Sequence, residues 1–200
     1  MTVAIDQLKH LSVEDYYALE ESSDSHFDYL DGEVFENSGG TSRHSAIGMD
    51  LGIALGTQLK GKPCQPFNGD QRIRVKSSTY RFHPDMSVFC GKMEYEEEEK
   101  SPNRHTATNP TVLFEVLSPN NEGDTRGWKW LNAQFIESLR AFVLLSQDES
   151  IVEVYERQET EEEWRYRSIR GMESVLEIES IGVAIQLTEI YERAMEMPER

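Results

Sequence analysis

The segment Thr-Val-Leu-Phe-Glu-Val-Leu at residues 111–117 constrains the fold more than any other part of the chain. Side chains alternate between the two faces of a strand, so Glu115 shares one face with Leu113 and Leu117, and apolar residues fill the other face. A strand that is apolar on both faces is usually central and buried. A buried carboxylate without a partner is costly. The segment therefore predicts a central strand whose glutamate serves either a structural ion pair or a functional site.

A second apolar run, residues 86–90, directly follows Asp85. If the two runs pair as antiparallel neighbours, the start of one lies beside the end of the other, and the carboxylates of Asp85 and Glu115 converge. Mg²⁺ and Mn²⁺ prefer carboxylates, backbone carbonyls and water as ligands, and the Val116 carbonyl could complete such a set. We predict a metal site at these three residues. The alternatives are a solvated Asp85 at a strand start and a structural ion pair of Glu115.

Length and cysteine content bound the class of protein. Two hundred residues without an internal repeat or an evident linker favour one domain over residues 1–200. No apolar run has the length of a membrane-spanning helix, and the N-terminus lacks the pattern of a secretion signal. Cys64 and Cys90 are the only cysteines and predict no disulfide framework. A reducing cytoplasm is the expected location.

The net charge of −17 at pH 7 limits the possible partners. It argues against broad, nonspecific binding to nucleic acid or to anionic membranes. An enzyme of this charge that acts on nucleic acid must rely on a local basic strip or on a metal ion.

The order of predicted elements indicates a mixed α/β or α+β domain with a largely antiparallel central sheet. Ser12 caps a first helix, and Asp31-Gly32 predicts a hairpin turn. The alternation in residues 71–76 predicts a strand with Ile73 and Val75 inward and the basic residues Arg72, Arg74 and Lys76 outward. The remaining predicted elements are a helix that Ser42 caps and that runs to about residue 60, a helix at 124–138, a strand at 141–145, a hairpin at 151–156 and 164–169, and a last helix at 189–197.

Several further polar residues are ambiguous. Lys129 follows the Glu115 strand on a predicted helix, from which its ammonium could reach a phosphate, although most such lysines are solvated. Glu33 lies in a hairpin strand where an outward side chain is at least as common, and a cap or surface role is expected for His44. The five histidines show no zinc spacing. Trp128, Trp130 and Trp164 could stack on bases, but packing is the commoner role of tryptophan.

The ordered set of segments resembles the Uma-two family of restriction endonuclease candidates, within the PD-(D/E)XK nuclease superfamily. The resemblance covers nearly the whole chain, and its most diagnostic segment is Glu-Val-Leu-Ser-Pro at residues 115–119. The other segments are FDYLDGEV at 27–34, His44, HPDMSV at 83–88 and RGWK at 126–129. Position 28 holds Asp where Glu is common in the family.

The resemblance implies a restriction endonuclease-like core, a mixed sheet flanked by helices. It implies that Asp85 and Glu115 are the metal carboxylates, that Lys129 is the superfamily lysine displaced from the position of Leu117, and that Glu33 is the accessory acid. It further implies a Mg²⁺- or Mn²⁺-dependent endonuclease that cleaves DNA as a homodimer. The alternative is a catalytically idle restriction-like fold that serves as an interaction module.

Overall fold

A computed structural model describes residues 10–37, 40–96, 105–118, 121–160 and 163–198. The helices are α1 (Val13–Ser22), α2 (Ser42–Leu59), α3 (Glu122–Asp124), α4 (Trp130–Ala133) and α5 (Leu187–Met195), with a π-helical turn (Thr125–Lys129) between α3 and α4. The strands are β1 (Phe27–Leu30), β2 (Glu33–Glu36), β3 (Cys64–Asn68), β4 (Ile73–Arg74), β5 (Arg81–Phe82), β6 (Met86–Cys90), β7 (Val112–Leu117), β8 (Ala141–Ser146), β9 (Ile151–Arg157), β10 (Trp164–Arg170), β11 (Val175–Ile178) and β12 (Val183–Gln186).

A six-stranded sheet with the order β10-β9-β8-β7-β6-β3 forms the centre of the molecule. Its neighbours pair antiparallel except β7 and β8, which are parallel. The predicted fold class, a mixed domain with a mostly antiparallel central sheet, is confirmed. A smaller sheet has the order β2-β1-β5-β4, and β11 pairs with β12. None of the helices in the described ranges is long and apolar enough to cross a membrane.

Strand β7 is buried along its whole length, as its sequence predicted. Val112, Phe114 and Val116 pack into the core formed with α2 and α5. Leu113 and Leu117 pack on the opposite face. Glu115 lies on this second face, which places its carboxylate on the side of the sheet away from α2 and α5.

The first helix and the first hairpin follow the local sequence signals. The Ser12 hydroxyl accepts the Asp15 N–H, and the Asp15 carboxylate accepts the Ser12 N–H, which forms a capping box. Asp31 and Gly32 adopt φ values of 49° and 90°, the left-handed conformations that a tight two-residue hairpin requires. The hairpin register places Asp28 directly opposite Phe35.

Other predicted boundaries differ from the structure. Thr41, and not Ser42, caps α2. Ile73 and Val75 are buried as predicted, but the prediction that Arg72 points outward is wrong, because its side chain is buried against the Glu20 carboxylate. The helix predicted over 124–138 is broken, since Gly127 has non-helical dihedral angles at the π-helical turn.

The cysteines correct another expectation. Cys64 and Cys90 face each other in the register of β3 and β6, with Cα atoms 3.9 Å apart, and they form a disulfide. The prediction of no disulfide is therefore wrong. The two residues are 26 positions apart, so only the pairing of the strands reveals their contact. A cytoplasmic location stays a prediction that the cysteines no longer support.

Candidate metal centre

The start of β6 and the end of β7 bring Asp85 and Glu115 together. Met86 pairs with Phe114 and Ser87 with Leu113, so the register continued by one residue sets Asp85 opposite Glu115. Both side chains line one cleft of about 240 Å³. The convergence follows from the antiparallel pairing on which the sequence argument depended. The role of the two acids as metal ligands stays a prediction.

Only one oxygen of the Asp85 carboxylate contacts protein groups among the described residues. Its Oδ2 atom accepts the Val116 N–H at 2.6 Å and lies 3.3 Å from Nε2 of His44. Its Oδ1 atom has no hydrogen-bond partner among the described residues. The contact with the Val116 N–H fixes Asp85 against the end of β7 and leaves one oxygen available to a ligand in the cleft.

The Glu115 carboxylate is buried, with 2% of the residue exposed. Burial, the largest influence, raises its pKa to about 8, and the Asp85 and Asp28 charges act in the same direction against the opposing charge of Lys129. Its Oε1 atom lies 3.4 Å from the Lys129 ammonium. The charged carboxylate is thus poorly stabilised here, as expected for a group that gains stability from an added cation.

The break at Gly127 sets the position of Lys129. The π-helical turn ends at this residue, whose Nζ atom lies 3.2 Å from Asp28 Oδ2 and 3.4 Å from Glu115 Oε1. Burial acts to lower the pKa of Lys129, but the carboxylates of Asp28, Glu115 and Asp85 outweigh it and raise that pKa. The lysine therefore carries its charge inside the cleft.

Asp28 is a member of the site that the sequence did not predict. Its Oδ1 atom accepts the Asn37 side-chain amide at 3.0 Å and the His83 backbone N–H at 3.1 Å, which leaves Oδ2 for Lys129. Glu33, in contrast, is exposed at the start of β2 and is not among the described residues that line the cleft. The structure does not bring Glu33 to Asp85 and Glu115. The acids that the hairpin supplies to the cleft are Asp28 and Glu36, and Asp28 is the one that contacts Lys129.

The His44 side chain also lines the cleft, although a cap or surface role was expected for this residue. Its backbone N–H is capped by the Thr41 hydroxyl, and its imidazole faces Asp85. Burial acts to lower the pKa of His44, but the Asp85 carboxylate and the Val116 carbonyl outweigh it and raise that pKa. A Cβ atom at Gly40 would lie 2.5 Å from the His44 ring, so the glycine makes room for this orientation.

The donors present fit a hard divalent cation. Asp85 and Glu115 supply carboxylate oxygens, and the Glu115 Oε2 atom has no hydrogen-bond partner among the described residues. The Val116 carbonyl contacts the His44 ring and lies 3.4 Å from the Asn121 amide. Oxygen ligands of this kind suit Mg²⁺ or Mn²⁺ better than softer metals.

A second group of possible ligands lies nearby but is already satisfied. Glu20, His26 and His83 offer ligand atoms within 4.8 Å of one another, a proximity that the spacing of the histidines in the sequence did not predict. The Glu20 carboxylate accepts hydrogen bonds from the Phe27 N–H, from Arg72 and from the His83 ring. Both of its oxygens are thus engaged in a structural ion-pair cluster.

Comparison with known proteins identifies the family. The model of the Uma2 family, described as "Putative restriction endonuclease", matches residues 13–188. The chain belongs to this family. Pro119, in the segment most diagnostic of the resemblance, lies outside the described residues.

Individual relatives of this Uma2 chain agree over most of its length. Two uncharacterized proteins of Synechocystis sp. are similar: slr1290 is 27% identical over 90% of this chain and 91% of its own length, and sll1609 is 25% identical over 84% and 93%. The crystal structure of "a putative nuclease belonging to DUF820" from Anabaena variabilis matches with a TM-score of 0.69 and 17% identity, over 96% of this chain and 99% of that one. At this identity the likeness confirms the fold alone.

Proposed function

We propose that this Uma2 protein is a divalent-metal-dependent nuclease that hydrolyses phosphodiester bonds in DNA. One observation carries the proposal. Asp85, Glu115 and Lys129, which come from three separate segments, line a single cleft, and each carboxylate has an oxygen without a partner among the described residues. Two acids beside a buried ammonium form a site suited to an anionic substrate and a cation together. Membership in a family described as restriction endonucleases supports the same conclusion.

The residues divide the work of hydrolysis. Asp85, Glu115 and the Val116 carbonyl would hold Mg²⁺ or Mn²⁺. Such an ion, when bound, polarises a phosphate and lowers the pKa of a bound water. Lys129 stabilises the negative charge that develops on the phosphate, because its ammonium is fixed in the cleft by Asp28. The His44 imidazole orients the Asp85 carboxylate.

We further propose that the protein is a C2 homodimer, as its resemblance to restriction endonucleases implies; two-fold symmetry is the commonest arrangement of soluble oligomers. Sedimentation at micromolar concentration tests this proposal. A monomer mass with and without DNA would contradict it.

The decisive test is a cleavage assay on linear, supercoiled and single-stranded DNA with Mg²⁺ or Mn²⁺. Wild type should cleave at least one form, and Asp85→Asn should cleave none and should lose the rise in melting temperature that the cation gives. Asp148→Asn, which changes an exposed aspartate outside the cleft, is the matched control. If wild type binds the cation but cleaves no form, the idle interaction module is correct.

A further inference from the structure

Two aromatic side chains line the cleft beside the acids. Phe35 lies opposite Asp28 in the β1–β2 register, and directly opposed residues of an antiparallel pair point to the same face. The Phe35 ring therefore lies on the side of the hairpin from which Asp28 contacts Lys129. Its centroid is 5.0 Å from that of Trp128, and both rings line the cleft. Phe35 is 37% exposed, a high value for a phenylalanine next to a buried ion pair.

Trp128 differs from the other two tryptophans. The Trp130 ring is stacked on Tyr155 with centroids 4.4 Å apart, and Trp164 packs edge-on against Trp130, so these two form a packing cluster away from the cleft. Trp128 instead contacts the rings of the buried Tyr80 and of the exposed Phe35. Because it directly precedes Lys129, the same π-helical turn holds both residues at the cleft.

The charges of the cleft do not suit an intact duplex. Its described lining includes five carboxylates, three histidines and a single lysine, and no arginine. Proteins bind duplex DNA largely through Lys and Arg contacts to phosphates. Several arginines in the described part of the chain are engaged with acids of the protein itself: Arg72, Arg74, Arg81, Arg126, Arg165, Arg167 and Arg193. An aromatic surface, in contrast, attracts the π-face of any base without a cation.

We infer that Phe35 and Trp128 form a stacking platform for an unpaired nucleobase next to the scissile phosphate, so that the preferred substrate is single-stranded or locally unpaired nucleic acid. The inference rests on the proposed function, because it places the base of the nucleotide whose phosphate lies at Asp85, Glu115 and Lys129. A base inside an intact duplex cannot present its face to the platform without leaving the stack.

The test measures binding by fluorescence anisotropy with Ca²⁺ present, and so does not depend on turnover. The probes are a labelled single-stranded oligodeoxynucleotide, its blunt duplex, the same strand with abasic residues in place of its internal bases, and the matched oligoribonucleotide. The abasic strand keeps the phosphates and removes the bases. The proteins are wild type, Phe35→Ala, Phe35→Tyr and the control Phe135→Ala, which truncates an exposed phenylalanine outside the cleft.

Wild type should bind the single strand more tightly than the duplex or the abasic strand. Phe35→Ala should weaken single-strand binding by about 5- to 150-fold, the range that base–aromatic stacking gives, and should leave abasic binding unchanged. Phe35→Tyr should restore binding, and Phe135→Ala should have no effect. The DNA and RNA probes show which nucleic acid supplies the base.

The platform is overturned if wild type binds the abasic strand as tightly as the normal strand, if it binds none of the probes, or if Phe35→Ala and Phe135→Ala behave alike. The abasic comparison uses only wild type, so it holds even if a variant fails to fold. Base-dependent binding without cleavage in Mg²⁺ or Mn²⁺ would refute the nuclease and keep the platform. Cleavage that does not depend on bases or on Phe35 would do the reverse.

Discussion

Glu20 and Glu115 are both buried, at 0% and 2% exposure, yet their pKa values move in opposite directions. Burial acts to raise the pKa of Glu20, but hydrogen bonds from His83 and the Phe27 N–H, together with the Arg72 charge, lower it to about 2. For Glu115, burial prevails over Lys129 and raises the pKa to about 8. The number of donors around a carboxylate, and not its burial, decides which charge state the fold favours.

The difference separates a structural cluster from a site. Both Glu20 oxygens accept hydrogen bonds from protein groups, so the carboxylate has nothing left to offer a ligand. Glu115 has one contact, at 3.4 Å, to a lysine that also contacts Asp28. An incompletely satisfied acid that faces a cleft has capacity for a cation. The comparison yields four predictions.

The largest effect is expected in the structural cluster. Arg72→Met removes a partner of Glu20 and leaves a buried carboxylate with fewer donors, which should lower the free energy of unfolding by about 3–5 kcal/mol. Urea unfolding monitored by circular dichroism measures the change. Arg170→Met, at an exposed position, is the control and should change stability by less than about 0.5 kcal/mol. Equal effects in the two variants would mean that Glu20 does not depend on Arg72.

A substitution of Lys129 in the cleft is expected to reduce turnover. Lys129→Met should lower the turnover number about 10²- to 10³-fold, because the charge that stabilises the phosphate is gone. The expected increase in melting temperature on adding Mg²⁺ should remain, since the proposed ligands Asp85 and Glu115 are unchanged. Lys60→Met, at an exposed helix end, is the control. Full activity of Lys129→Met at saturating Mg²⁺ would remove this lysine from the mechanism.

Acidic pH should destabilise the protein through Glu20 in the structural cluster. The folded-state pKa of Glu20, about 2, lies below its ordinary value of 4.5, so its contribution to stability is present above pH 4.5 and is lost as the pH falls toward 2. The loss should be on the order of 3 kcal/mol. Denaturant titrations of wild type and Glu20→Gln at a series of pH values between these limits measure it. Glu20→Gln should be less stable near neutral pH and should show a flatter decline. A decline identical to that of wild type would exclude Glu20 as a source of acid lability.

The smallest effect on the stability of the metal-free protein is expected from a substitution of Glu115. Glu115→Gln should change the free energy of unfolding without cation by less than about 1 kcal/mol, or increase it, because burial already disfavours the charged carboxylate. The variant should lose the stabilisation by Mg²⁺ that is expected of wild type, about 2.7 kcal/mol at 100 times the dissociation constant. Denaturant titrations of Glu115→Gln and Glu20→Gln without metal compare the free energies of unfolding of the two variants. If Glu115→Gln and Glu20→Gln lower the free energy of unfolding equally, Glu115 is a structural residue as well.

Local patterns in the sequence predicted much of the fold. The run at residues 111–117 that is apolar on both faces, the cap at Ser12 and the Asp31-Gly32 turn each depend on near neighbours, and the structure confirms all three. The convergence of Asp85 and Glu115 was accessible because the two strands neighbour each other in the sheet and pair antiparallel.

The parts that could not be predicted depend on contacts between distant segments. Arg72 in an alternating strand appears solvent-facing until α1 brings Glu20 against it. Asp28 resembles an ordinary hairpin residue until the broken helix directs Lys129 toward it. Cys64 meets Cys90 only through the register of β3 with β6. Each depends on a partner whose position no local pattern specifies.

The parallel pairing of β7 with β8 has a consequence for the order of folding. Parallel neighbours need a crossover connection, and here the segment between β7 and β8 forms it and carries Lys129. The β1–β2 and β9–β10 hairpins can form from local contacts. The cleft forms only when β6, β7 and the crossover connection between β7 and β8 are all in place. Contacts across long stretches of chain form slowly, because loop closure must precede them. If the cleft binds a cation as proposed, that binding during refolding should therefore report completion of the sheet and not the earlier formation of its hairpins.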